Sequence, residues 1–298
     1  MRIAESFVSL LTLAMICAIS VQGQTKSLLI SVDGPRPLAA ACDRIEALSG
    51  MAVRYEEGRY LNPADLKDVT GEALTPEQQK RAGPEFHLIG PRGGRISATV
   101  LLEDGTPNIT SSVGARAAAV AFVEAQKATH DQTFVVESDD GGLFIRPQEF
   151  RDQAGIARAI TPVLSARISI PLGTRSAYET LTLITEAVSK VTGERVEKGT
   201  VPIRTFATSN VSIGCNSETA RGVLNTLFKA IVSQDGMNVS IGAPGLSYRL
   251  FSDAMDGSYA LNVHWLPGAQ VPNGSSPSDP APLPKNQEGN PFFRTAHP

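Results

Sequence analysis

Apolar positions follow two periods along this chain, and the places where the period changes mark its elements. Ser27 to Val32 is a short apolar run that reads as a strand. After Pro35-Arg36-Pro37, the residues Leu38, Ala41, Cys42, Ile45 and Leu48 keep helical spacing and stop at Gly50. Prolines at the start and glycine past the end punctuate a helix, predicted here over Pro37 to Ser49. A second strand, Met51 to Tyr55, follows at once. Arg95 to Leu102 alternates as a strand and Ala115 to Ala128 is an alanine-rich helix. Thr133 to Glu137 then pairs with Leu143 to Arg146 around Asp139-Asp140-Gly141-Gly142, a hairpin turn sequence.

The same series recurs later. Ile168 to Pro171 is a strand, and the stripe Leu181, Ile184, Val188, Val191 predicts a helix over Ala177 to Val191 that stops at Gly193 before Arg195 and Val196. Laying Leu38 on Leu181 also aligns Ile45 with Val188, Leu48 with Val191 and Gly50 with Gly193, all at one offset, which identifies an internal repeat. The second half agrees: Asn210 to Ile213 is a strand, Glu218 to Ile231 a helix, and Met237 to Ile241 pairs with Ser247 to Phe251 around Ala243-Pro244-Gly245. Each copy therefore reads β-α-β followed by β-α-β-β. The expected fold class is α+β, with two tandem βαβ-βαββ lobes over 27–148 and 167–252, each packing its helices on a small mixed sheet, joined by a linker at 149–166. A structured surface insertion at 56–94, with a helix start at Thr75-Pro76-Glu77, accounts for the extra length of the first copy. Tyr259, Leu261, Val263 and Trp265 alternate with polar residues and predict one added strand over 258–266.

Composition changes this picture at the two ends. Phe7 to Val21 has the length of a secretory core and falls short of the roughly 20 residues a membrane span needs. A signal peptide over 1–23, cut before Gln24, is expected, so the mature chain should be exported, without a stable membrane span. A cut after Ser20 and an uncleaved anchor are the alternatives. Ile16 is too bulky for lipoprotein cleavage before Cys17. From 267 to 298, eight prolines among Ser, Asn and Gly leave nothing to bury, and an extended disordered tail is expected. The net charge of −3, with no dense Lys/Arg run, gives no footprint for nucleic acid. After cleavage two cysteines remain, Cys42 and Cys215; an oxidising compartment permits a disulfide between them, and two buried thiols are the simpler reading.

Templates for chemistry come back empty: the chain has no G-x-S-x-G, Walker, H-E-x-x-H or dinucleotide motif. His87, His130, His264 and His297 fall in separate segments, and no Cys/His cluster suggests metal. Asp139-Asp140 lacks the further spaced oxygens of a calcium loop. Gly90 to Gly94 precedes a strand, whereas phosphate loops open helices. Asn108, Asn210, Asn238 and Asn273 begin N-x-S/T sequons, which matter only in a eukaryotic secretory host. No cofactor, catalytic residue or metal ligand is expected.

Ser31-Val32-Asp33-Gly34-Pro35-Arg36-Pro37-Leu38, the end at Leu48-Ser49-Gly50 and the following Val53-Arg54-Tyr55 resemble the short N-terminal domain of bacterial secretins and TonB-dependent receptors. Ile170-Pro171-Leu172-Gly173 and Val191-Thr192-Gly193 look like a second, degenerate copy. That resemblance implies β-α-β and β-α-β-β lobes with no catalytic residues to transfer, and here no long barrel follows. The function expected is an exported, non-enzymatic envelope or periplasmic module that acts through protein–protein contacts, linked to secretion or outer-membrane transport assembly. The alternatives are an exported small-ligand or glycan binder and, behind it, a secreted enzyme built from scattered residues such as His87, Glu137 and Asp139. The candidate partner-binding edge is the strand carrying Tyr248, Arg249, Leu250 and Phe251, guarded by Arg249 alone unless the added strand covers it. The envelope partner and the oligomeric state stay open at this point.

Overall fold

The computed structural model describes residues 27–103, 106–107, 109–129, 132–139, 142–234 and 245–267. The signal segment, the strand Met237 to Ile241, His130, His297, Asn108, Asn238, Asn273 and the tail from 268 on lie outside the described residues. The protein is α+β. Its first lobe runs β1 (Ser27–Val32), α1 (Pro37–Ser49) and β2 (Val53–Glu56), then an insertion with β3 (Leu66–Asp68), α2 (Thr70–Ala73), α3 (Pro76–Ala82) and β4 (Ile89–Pro91). It continues through β5 (Ile96–Glu103), β6 (Thr106–Pro107), α4 (Ser112–Thr129), β7 (Thr133–Asp139) and β8 (Gly142–Arg151). A short strand β9 (Ala157–Ala159) leads to the second lobe: β10 (Arg167–Ser176), α5 (Ala177–Thr192), β11 (Val196–Lys198), α6 (Ile203–Thr208), β12 (Asn210–Thr219), α7 (Ala220–Gln234), β13 (Leu246–Ser252) and β14 (Tyr259–Trp265).

Local chemistry accounts for the helix limits. Pro37 opens α1, and Gly50, at φ 69°, closes it in the left-handed conformation that costs glycine least. In α5 the Ser176 hydroxyl accepts the Glu179 N–H while the Glu179 carboxylate accepts the Ser176 N–H, a reciprocal cap. Gly193, at φ 73°, ends α5 as Gly50 ends α1. The insertion helix α3 starts at Thr75 with the same kind of cap, shared with Gln78.

The repeat extends to hydrogen-bond detail. Glu46 Oε1 accepts the Val53 N–H at 2.8 Å, and at the aligned positions Ser189 Oγ accepts the Val196 N–H at 2.9 Å. In each lobe an antiparallel ribbon, β1–β5 or β10–β12, stands apart from a three-stranded sheet ordered β2-β8-β7 or β11-β14-β13. Tyr55 faces Ile145, which faces Val136, and Lys198 faces Leu261, which faces Leu250. By this register β13 corresponds to β7 and β14 to β8. The strand expected as an addition is thus the antiparallel partner of β13; Met237 to Ile241, expected in that place, lies outside the described residues.

The two three-stranded sheets fuse. β2 lies parallel to β13, with Tyr55 opposite Arg249 and Glu56 opposite Leu250, and the Glu57 N–H donates to the Leu250 carbonyl at 2.9 Å. Following the strand directions outward, the equivalent strands β8 and β14 run in opposite senses. The two cores also lie on opposite faces. Val53, Tyr55, Leu143 and Ile145 belong to the core with α1 and α4, whereas Phe144, Tyr248, Leu250, Tyr259 and Leu261 belong to the core with α5 and α7. One lobe therefore maps onto the other by a half-turn about an axis across the strands plus a shift of three strands.

Four further expectations need correction. Val191 is 58% exposed, because it lies in the last turn of α5, beyond the buried stripe Leu181, Ile184 and Val188; its counterpart Leu48 is partly buried. Helix α7 starts at Ala220, since Glu218 and Thr219 pair with Ile168 and Arg167 in the ribbon. The segment 149–166 is more than a linker: β8 runs on to Arg151 and β9 folds back along it. Cys42 is buried, Cys215 is partly exposed and both are free thiols.

Candidate functional site

The strand named as an open edge is interior. β13 has β14 on one side and β2 on the other, Tyr248 and Leu250 are fully buried, and Arg249 is 3% exposed. Tyr248 and Leu250 enter the second core, Phe251 packs at the first, and Arg249 turns toward α1. Its guanidinium donates to Glu46 Oε2 and Asp43 Oδ1, each at 2.7 Å, and to the carbonyl of Val53 at 2.7 Å. His264 Nε2 lies 2.8 Å from Glu46 Oε2. Burial would raise the Glu46 carboxyl, but Arg249 and His264 outweigh it and hold the pKa at about 2.

Asp43, Glu46 and His264 place ligand atoms within 4.8 Å of one another, a spacing that also suits a metal ion. Here the Arg249 guanidinium touches both carboxylates and already supplies the positive charge they need. The cluster reads as an ionic lock between lobes. A second polar group sits on the opposite face. Arg54 donates to Asp139 at 3.2 Å, Arg146 and Arg221 donate to the two oxygens of Glu137, and the Asn225 amide donates to Asp139. Arg221 also stacks on Phe144, 4.3 Å from the ring centre. The hydrogen bond from Arg146 heads the causes that hold the Glu137 pKa down.

These contacts separate the residues of the scattered-enzyme alternative. Glu137 and Asp139 are ion-paired at the lobe junction, while His87 sits in the insertion, 2.6 Å from Asp68 and largely exposed. A cleft of about 310 Å³ opens between the β1–α1 turn, the insertion and the end of α4, with Arg36, Leu38, Tyr60, Gln126 and Gln132 in its wall. Arg36 and Tyr60 in this wall are already engaged by Glu57. Glu57 accepts from Arg36 Nε at 3.0 Å, from the Tyr60 hydroxyl at 2.6 Å and from the Ser252 N–H at 2.9 Å. Arg92 and Gly93 of the glycine-rich stretch also line this cleft.

The exposed features lie elsewhere. Among the described residues β1 pairs only with β5, β7 only with β8, and β11 only with β14, so each of these strands has a free edge, as do both strands of the β10–β12 ribbon. On the outer face of the β1–β5 ribbon, Leu29 is 65% exposed and Leu101 57%. Leu29 faces Thr99 and Leu101 faces Ser27, which makes the two leucines diagonal neighbours. Leu28, on the other face, is also partly exposed. The signal was visible in sequence as Leu28-Leu29-Ile30 and Val100-Leu101-Leu102, apolar at both parities of a strand expected to have one buried face.

Among the described residues the geometry is that of an α+β protein with two hydrophobic cores, ionic groups where they meet, a polar cleft and apolar residues beside an open strand edge. Comparison with protein-family models, curated proteins and solved structures finds no match for the chain. Among the described residues no helix is long and apolar enough to cross a membrane.

Proposed function

We propose that this protein is an exported, non-enzymatic envelope module that acts by protein contact, with the outer face and free edge of the β1–β5 ribbon as the contact surface. The observation that carries the reading is the pair Leu29 and Leu101, both more than half exposed on one face beside the unpaired side of β1. Clustered exposed apolar side chains are unfavourable in water and gain when a partner covers them. The other edge of β1, without a partner strand among the described residues, offers backbone donors and acceptors to a partner strand. The partner class is an envelope protein of secretion or outer-membrane transport, as the family resemblance implies.

The test is site-specific photo-crosslinking from position 29 in the source organism, with the native N-terminus retained. One discrete adduct with another protein in the envelope fraction, lost in a Leu101→Asp background, is the expected result. Absence of an adduct, or adducts with the chain itself alone, overturns the proposal. The small-ligand or glycan alternative rests on the cleft lined by Gln126, Gln132 and Tyr60. Its test is a rise in melting temperature with oligosaccharides that Gln132→Ala abolishes.

A further inference from the structure

The order β7-β8-β2-β13-β14-β11 contains the same three-strand unit twice, head to tail. Its internal junction joins the last strand of the first unit, β2, to the first strand of the second, β13. The outermost strands are the same two kinds again: β7, equivalent to β13, and β11, equivalent to β2. A repeat of the half-turn and shift that relate the lobes would bring β7 of a second chain beside β11 of the first. The strands would be parallel, as β13 and β2 are. We propose that chains associate head to tail through this edge, with β11 of one copy beside β7 of the next.

The register follows from the internal junction. Arg249 opposite Tyr55 translates into Val135 opposite Lys198, and Leu250 opposite Glu56 into Val136 opposite Gly199. The backbone is oriented for it. Gly199 donates to Leu261 within the sheet, so alternation turns the Lys198 N–H and C=O outward. Leu250 presents its carbonyl to β2, so the equivalent Val136 presents its own to solvent. Lys198 would ordinarily guard such an edge. Its ammonium instead donates to the Thr182 hydroxyl and lies 3.9 Å from the centre of the Tyr178 ring, drawn toward α5. Arg249 is replaced by Val135, so the contact has no buried ionic lock. The Thr200 N–H, equivalent to that of Glu57, is held by Asn262 at 2.6 Å. Both differences make the association between chains weaker than the junction within one. Each chain offers one edge of each kind, so growth is open-ended and does not close as a twofold dimer.

Sedimentation velocity over a wide concentration range tests this proposal, which is independent of the leucine surface. The full chain should show a mass that rises past dimer with concentration. Lys198→Pro and Val136→Pro each remove one outward N–H, and each variant alone should be monomeric with a native circular dichroism spectrum. Mixed, the two variants should form a 1:1 pair and stop there, because one intact edge of each kind remains. Leu29→Ser with Leu101→Ser should leave the association unchanged. Hydrogen exchange provides a second readout that needs no variant: the Val136 and Lys198 amides should slow at least tenfold at high concentration. A wild-type chain that stays monomeric, a mass that stops at dimer, or exchange unaltered by concentration overturns the proposal.

Discussion

Replacing Glu56 with glutamine should stabilise this protein at neutral pH, an unusual outcome for a change at a buried position. Glu56 is fully buried at the end of β2, on the face that meets the second core, where Oε1 accepts the Leu164 N–H at 3.3 Å. Its Oε2 has no hydrogen-bond partner among the described residues. Burial pushes its pKa from 4.5 to about 7, against the opposing pull of the Leu164 and Val163 N–H groups and of Arg221 and Arg146. A raised folded-state pKa means that the fold prefers the neutral acid. The stabilisation is complete below pH 4.5, declines as the pH rises, and is gone above about 7. A difference of about 2.5 pK units corresponds to about 3 kcal/mol. Glutamine keeps the shape and removes the charge. Urea unfolding at pH 4.5 should therefore give equal stabilities, and at pH 8 the variant should be more stable by up to about 3 kcal/mol. A Glu56→Gln protein no more stable than wild type at pH 8 would refute the reasoning, since the buried carboxylate would then have to be compensated.

Three other outcomes follow from the packing. Arg249→Ala should destabilise by about 3–5 kcal/mol in urea unfolding, because it leaves Glu46 charged and buried without its guanidinium, whereas Arg249→Met with Glu46→Gln should recover much of the loss. Leu38→Ala and Leu181→Ala, at equivalent core positions, should each cost about 2–5 kcal/mol, and Val191→Ala should change stability by no more than about 0.5 kcal/mol. Thiol alkylation followed by mass spectrometry should modify Cys215 first and Cys42 only on unfolding, since Cys42 is fully buried and its burial raises the thiol pKa well above the ordinary value.

The repeat was legible because local signals encode it. Proline and glycine punctuation and helical stripes placed α1 and α5, apolar runs and alternation placed the strands β1, β5, β10 and β12 but not their pairing, and the alternation over Tyr259 to Trp265 gave β14 its limits. Strand partners were not legible in the same way. Tyr248, Leu250 and Phe251 with a single arginine suit either a guarded edge or a central strand whose arginine is neutralised from another element. The neutralising groups, Asp43 and Glu46, lie some two hundred residues earlier. One local hint existed: Glu46 stands beside Ile45 on the stripe that reaches the core, a position where an acid needs a partner. Val191 shows the opposite limit, because helical period fixes the direction of a side chain without saying where the sheet beneath it ends.

The ionic groups at the junction are better explained by register than by net stability. Only two residue pairs join β2 to β13, too short a ladder to choose its own alignment. A slip by one residue would turn Arg249 into the second core and Tyr248 toward α1. Arg249, held by Glu46 and Asp43, penalises that slip on one face, since it would be buried without its carboxylates, and on the other face the slip would part Arg221 of α7 from Glu137 of β7. Hydrophobic side chains at these positions would fill the space with less penalty for misalignment. The two cores thereby share one sheet in one alignment, and among the described residues its outer strands β7 and β11 pair with β8 and β14 alone.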